Sequence, residues 1–174
     1  MEYEYTKPAR RINYMGQALD SALELKFILS IDQTHAWLRD GLEIYYDLDH
    51  IDAGLKASIP KLVPDFLIRN WTTGEATLVE IKPSAFTDRF LLQEKIKIAK
   101  SYIAYFQYDW TYKIMKTTDI KLTSEQLNKY QAILVNTKKA DNTPSYQLLQ
   151  NNTRFTDPEY RRFVMDGVLP ASAR

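Results

Sequence analysis

Asp65, Glu80 and Lys82 are the residues of this 174-residue chain best spaced to do chemistry together. The strand-like runs LVPDFLIR (Leu62–Arg69) and ATLVEIK (Ala76–Lys82) flank NWTTGE, the pattern of a β-hairpin with a connection of four to six residues. With Trp71–Gly74 as the loop, Asn70 pairs with Glu75, and counting back along both strands sets Asp65 opposite Glu80. Opposed residues share one face, with Cβ atoms about 5 Å apart. Lys82 lies two positions beyond Glu80, so strand alternation puts it on that face too. Facing carboxylates repel unless something offsets their charge, and a bound divalent cation would do so. The alternative is simpler: Lys82 makes a cross-strand ion pair on a solvated face.

Composition narrows the chemistry. There is no cysteine, which excludes disulfides, thiolate zinc sites and cysteine nucleophiles. Two histidines, His35 and His50, cannot build a three-histidine metal site and are read as structural or exposed. Metal chemistry would therefore be carboxylate chemistry, which points to Mg²⁺ or Mn²⁺. Hydrophobic residues make up 45% of the chain, enough for a core, and no apolar run reaches the roughly 20 residues of a membrane span. MEYEYTKPARR has no apolar segment of the signal-peptide kind, so a cytoplasmic protein is expected. The net charge of +1 conceals a gradient: residues 21–70 hold five basic and eight acidic groups, whereas 71–122 hold eight and six. Such a gradient suits a cation site beside an anion-binding surface, and equally a merely uneven surface.

Several elements must position these residues. SALELKFILSI, Ser21 to Ile31, reads as a helix. Glu24 falls on its apolar face with Phe27, Ile28 and Ile31, where a buried carboxylate needs a partner, a metal being one. Ser21-x-x-Glu24 also matches a capping box, in which Glu24 reaches back to the backbone instead. A strand is expected at Leu42–Tyr46 and a loop over 47–56. After the hairpin, a helix from Thr87 to Phe106, capped by Thr87 or Asp88, carries the stripe Leu92, Ile96, Ala99, Ile103 and Phe106. Gln93, Lys97 and Lys100 lie beside that stripe, either as an exposed polar face or as candidates for contact with a site or a DNA backbone. Trp110–Lys116 reads as a strand and Thr123–Val135 as a helix, while the chain from NTKKADNTP onward is turn-rich. Tyr45, Trp110 and Tyr112 are expected to be core or half-buried strand residues. The expected organisation is an N-terminal basic arm (1–20), an α/β core (21–118) and a partly helical C-terminal appendage (119–174). Lys7, Arg10 and Arg11 of the arm are candidates for contacts with DNA phosphates, or else a solubilising tail.

Pro64-Asp65 followed by Glu80-Ile81-Lys82 resembles the PD-(D/E)xK motif of the restriction-endonuclease-like nuclease superfamily. The surrounding order of helix, hairpin and amphipathic helix resembles that superfamily's αβββαβ core, a mixed sheet flanked by helices. More narrowly, SALELKFILSID, LVPDFLIRN, GEATLVEIKPS, YDWTYKIMKTTDI and the arm TKPARRINYMG resemble the N-terminal catalytic domain of the TnsA transposase endonucleases, over roughly residues 6–120. The winged-helix region typical of that family is not evident in the remaining residues. The resemblance implies a Mg²⁺-dependent DNA endonuclease, with Mn²⁺ able to substitute. It implies Glu24, Asp65, Glu80 and the Ile81 carbonyl as metal ligands and Lys82 as the catalytic lysine. It also implies DNA and a transposase or other partner subunit as partners, with a homodimer as a further arrangement. A stand-alone phage or mobile-element nuclease, and a module of this fold that binds DNA or a partner without cleaving, are the alternatives. A chain so close to neutral is expected to bind random duplex weakly by itself and to leave target choice to another subunit.

Overall fold

A computed structural model describes residues 12–15, 17–39, 42, 44, 62–85, 89–136 and 154–171. Lys7, Arg10, Arg11, His50, the caps Thr87 and Asp88, and the expected loop over 47–56 lie outside the described residues. Of the expected strand Leu42–Tyr46, Ile44 makes an isolated bridge to Leu62. The chain divides into two compact units, one comprising 1–33 and 120–154, the other 34–119 and 155–174. These boundaries do not follow the expected arm, core and appendage.

In the first unit, β1 (Ile12–Tyr14) and β2 (Gln17–Leu19) pair as an antiparallel hairpin, with Ile12 opposite Leu19. Residues assigned from sequence to an extended arm are thus strands here, because Ile12 and Leu19 are both almost wholly buried. Helix α1 (Ala22–Ile31) follows, with Ser21 as its cap. It buries Leu25, Phe27 and Ile28 and packs on β1, β2 and α3 (Ser124–Asn136). Lys129 of α3 sits 5.6 Å over the ring of Tyr14. Thr123 Oγ1 accepts from the Gln126 N–H and Gln126 Oε1 from the Thr123 N–H, a reciprocal cap that starts α3 where the sequence predicts.

The second unit is α/β. Four strands, β3 (His35–Leu38), β4 (Phe66–Asn70), β5 (Ala76–Lys82) and β6 (Trp110–Lys116), form one mixed sheet in the order β3-β4-β5-β6. The first two pairings are antiparallel and β5–β6 is parallel. A parallel pair needs a long connection, and α2 (Arg89–Tyr105) supplies it, packing on β6. The β4–β5 register is the expected one, from Phe66 opposite Val79 to Arg69 opposite Ala76. Its turn is fixed chemically: Asn70 Oδ1 accepts the N–H groups of Thr72 and Thr73 at 2.8 and 2.9 Å, and Gly74 takes the positive φ of 75° that closes the loop.

The last helix, α4 (Pro158–Asp166), lies where no element was assigned from sequence. It covers β3, the edge of the sheet. Trp37 of β3 directs its N–H and C=O outward, and Tyr160 Oη accepts from that N–H at 2.8 Å and donates to that carbonyl at 3.0 Å. One phenol hydroxyl therefore satisfies both outward groups of Trp37, which could otherwise pair with another strand. Phe163 stacks on Trp71 at 4.2 Å, and Phe155 packs against the indole of Trp37 at 4.5 Å.

At the far end of α4, Arg69 is 1% exposed yet uses every donor it has. Nε donates to the Val164 carbonyl, Nη2 to the Met165 carbonyl, Nη1 to the Gly74 carbonyl, and both Nη atoms to Asp109. The guanidinium thus meets the unpaired carbonyls at the negative end of the helix dipole. Gly167 ends the helix at φ 76°, and a Cβ there would lie 3.0 Å from Arg69 Nη1. Among the described residues no helix is long and apolar enough to cross a membrane.

Candidate functional site

Glu80 lies within β5 and is 3% exposed. An anionic side chain in that position must be compensated, and three donors do it. Lys82 Nζ stands 2.9 Å from Glu80 Oε1, as its position two residues along the same strand requires. Lys95 Nζ, from α2, bonds the same oxygen. Tyr112, from the parallel neighbour β6, donates its hydroxyl to Oε2 at 2.6 Å. Tyr112 aligns with Leu78 in the β5–β6 register, so it shares a face with Glu80.

Asp65 sits just beyond the last regular β4–β5 pair. Its N–H bonds the Val79 carbonyl at 3.0 Å, and its Oδ2 accepts the Ile81 N–H at 2.7 Å. The regular ladder ends here, and the Asp65 side chain takes the Ile81 N–H, which a continued register would have given to the Pro64 carbonyl. Asp65 is thereby anchored next to Glu80 by a backbone bond and a side-chain bond, rather than as its ladder partner.

The electrostatics follow from this packing. Burial alone would raise the Glu80 carboxyl, but the charge of Lys95 and hydrogen bonds from Lys95, Tyr112 and Lys82 outweigh it and hold the group below the usual carboxylate value. Burial pulls both lysines down. For Lys82, the hydrogen bond and charge of Glu80, with Asp65 adding to them, reverse that and leave it raised. Lys95 stays lowered, because burial and the neighbouring Lys82 ammonium exceed the pull of Glu80. The Tyr112 phenol is pushed far up by burial and by the two carboxylates, so it serves as a proton-bearing donor.

The expected site residues are placed as follows. Asp65, Glu80, Ile81 and Lys82 come together on the hairpin. Glu24 belongs to the first unit, where its N–H donates to Ser21 Oγ at 3.2 Å and its Oε2 accepts the Asp20 N–H at 2.9 Å. Half of the capping box set against metal ligation in the sequence is therefore formed, and the Glu24 carboxylate reaches back to Asp20, one residue before the cap. Gln93, Lys97 and Lys100 are exposed, and Lys97 bonds Glu94 at 3.2 Å. The residue of α2 that reaches the site is Lys95. Its signal was present in the sequence: a lysine set between Leu91, Leu92, Ile98 and Ala99 on the helix's inner side. Tyr112, read as a core or half-buried strand residue, is half-buried and a member of the cluster, and alternation along the strand next to Glu80 could have identified that membership.

Two anchored carboxylates on adjoining strands suit a hard cation, which commonly takes one or two protein carboxylates and keeps its remaining waters. Among the described residues, no three His, Cys, Asp or Glu side chains are grouped to hold a metal ion. No family model, curated protein or solved structure matches the chain.

Proposed function

We propose that the chain is a Mg²⁺-dependent DNA endonuclease of the PD-(D/E)xK type that hydrolyses phosphodiester bonds, with Mn²⁺ able to substitute. Within that class we assign it as a TnsA-like subunit of a transposase, acting in the cytoplasm with a partner that selects the DNA. The observation that carries this reading is the buried Glu80 carboxylate with Lys82 at 2.9 Å and Asp65 anchored beside it on the same hairpin. The order α1, β3, β4, β5, α2, β6 supports it at the level of fold.

In this reading Asp65 and Glu80 hold the cation, with the Ile81 carbonyl completing the ligands of this unit on the strength of the resemblance. The cation would supply an activated water and would stabilise charge developing on the scissile phosphate. Lys82 offers a compact positive charge to the phosphate or to the attacking water. Its raised pKa keeps it protonated, so it acts by charge and hydrogen bonding. Tyr112 fixes the orientation of the Glu80 carboxylate, and Ile81 N–H fixes that of Asp65.

The test is nicking of supercoiled plasmid in Mg²⁺ or Mn²⁺ by the full chain, beside Asp65→Ala and Lys82→Ala. Nicking by the native chain alone supports the enzyme. Equal absence of nicking in all three, with no Mn²⁺ bound, favours the second reading, a module of this fold that binds DNA or a partner without cleaving. That reading has its own observation, since both oxygens of Glu80 are engaged by protein donors.

A further inference from the structure

We propose that Lys95 is a resident counter-ion of Glu80, which a divalent cation displaces from Oε1 when it binds. The inference rests on the metal-dependent reading above and assigns to a helix residue the control of cation affinity. Glu80 Oε1 receives two ammonium groups, Lys82 and Lys95, and a carboxylate oxygen has room for about two such donors. Oε2 receives Tyr112. A cation that uses Oε1 therefore meets a filled oxygen, and one of its two donors has to leave.

Lys95 is the donor placed to leave. Tyr112 is held by a strand and a short, stiff side chain, and its phenol cannot turn away without moving the ring. Lys82 is on β5 itself, two residues from Glu80, and the charge of Asp65 also holds its ammonium at this site. Lys95 arrives from α2 on a flexible four-carbon stem, and the Lys82 ammonium on the same oxygen repels it, so a change of rotamer can carry it away from Glu80. Charge favours the same exchange. Asp65 and Glu80 balance Lys82 and Lys95, and a divalent cation added without displacement would leave four positive charges against two negative ones. Without the cation, Lys95 helps to keep the Glu80 carboxylate ordered. The cost of that order is a weaker apparent affinity for metal, since binding includes breaking the Lys95 bond.

Calorimetric titration of the full chain with Mn²⁺ near neutral pH tests this, using the native protein, Lys95→Met, Lys95→Gln, Lys95→Arg and Asp65→Ala. Lys95→Met and Lys95→Gln should bind at least about tenfold more tightly than the native chain, and Lys95→Arg within about threefold of it. Unchanged or weaker binding by both neutral variants, with binding lost in Asp65→Ala, would overturn the displacement while leaving the metal site standing. If no variant binds Mn²⁺ and the native chain does not either, the metal reading falls and this inference with it. A second readout needs no variant at the site to fold: in native protein labelled at lysine Cε, Mg²⁺ should move the Lys95 resonance to the position of a solvated lysine. A resonance that stays in place while Mg²⁺ binds sinks the proposal.

Discussion

Arg69 and Glu80 are two buried charges in one small sheet, and they are neutralised in opposite ways. Arg69 is met by fixed acceptors: three backbone carbonyls and the carboxylate of Asp109, which is itself 62% exposed. Glu80 is met by side chains alone, two of them flexible lysines. Backbone acceptors cannot leave without unfolding something, whereas lysine ammoniums can. One node locks α4 to the sheet. The other presents an ordered carboxylate whose partners can be exchanged, which is the property a binding site needs. A buried charge thus indicates function through the mobility of its partners rather than through burial itself.

The largest effect that comparison predicts is at Arg69. Arg69→Met should destabilise the chain by about 3 kcal/mol, because it orphans the carbonyls of Gly74, Val164 and Met165 and undocks the end of α4. Adding Asp109→Asn should not restore the loss, since Asp109 reaches solvent. Glu80→Gln should cost less, about 1–2 kcal/mol, as it leaves two ammoniums beside a neutral group. Here a second change should help: Glu80→Gln with Lys95→Gln should be more stable than Glu80→Gln alone. Urea denaturation of the set measures both. A rescue at Arg69, or none at Glu80, would erase the distinction between the two nodes.

Next in size is Gly167→Ala, expected to cost about 1–2 kcal/mol by thermal or urea unfolding. A side chain at φ 76° is strained, and the new methyl would press on Arg69 Nη1 at 3.0 Å. Gly74 shares the positive φ, but nothing lies within 4 Å of the added carbon. Gly74→Ala should therefore cost less than Gly167→Ala, and the difference isolates the contact with Arg69 from the strain of the backbone.

The hairpin was legible in the sequence because its information is local. Asn70 and Gly74 specify the turn, and the turn specifies the register that brings Asp65 towards Glu80. The two interpretations of Glu24 were separable only by structure, since a capping carboxylate and a ligand have the same spacing. Lys95 escaped because periodicity assigns charged residues to the outer face of a helix, and its partner lies on a strand fifteen residues away. The inner face of α2 accordingly differs from the expected stripe: Glu94, Ile98, Ala99 and Ile103 are buried, whereas Phe106 is half exposed. Helix α4 did carry local signals, with Asp157 as cap, Pro158 in the first turn and Gly167 as stop. They were obscured by the turn-rich residues before them, and what α4 covers, Trp37 and Arg69, is remote in the chain.

The smallest effect concerns pH, and it sharpens the contrast at its weakest point, the exposed carboxylate of the Arg69 node. Hydrogen bonds from Arg69 hold the Asp109 carboxyl below its ordinary value, with the guanidinium charge acting in the same direction against a modest penalty for burial. A carboxyl lowered in the folded state binds fewer protons there than in the unfolded chain. Its contribution to stability is therefore complete above the ordinary aspartate value and is lost as pH falls through the lower, folded value. Asp109→Asn removes that dependence, so the acid limb of its stability curve should be shallower than that of the native chain, while the two curves run parallel near neutrality. Unfolding measured across the acid range decides it: curves parallel throughout would mean that Arg69 is held by the backbone carbonyls alone, and that Asp109 is a bystander to the lock.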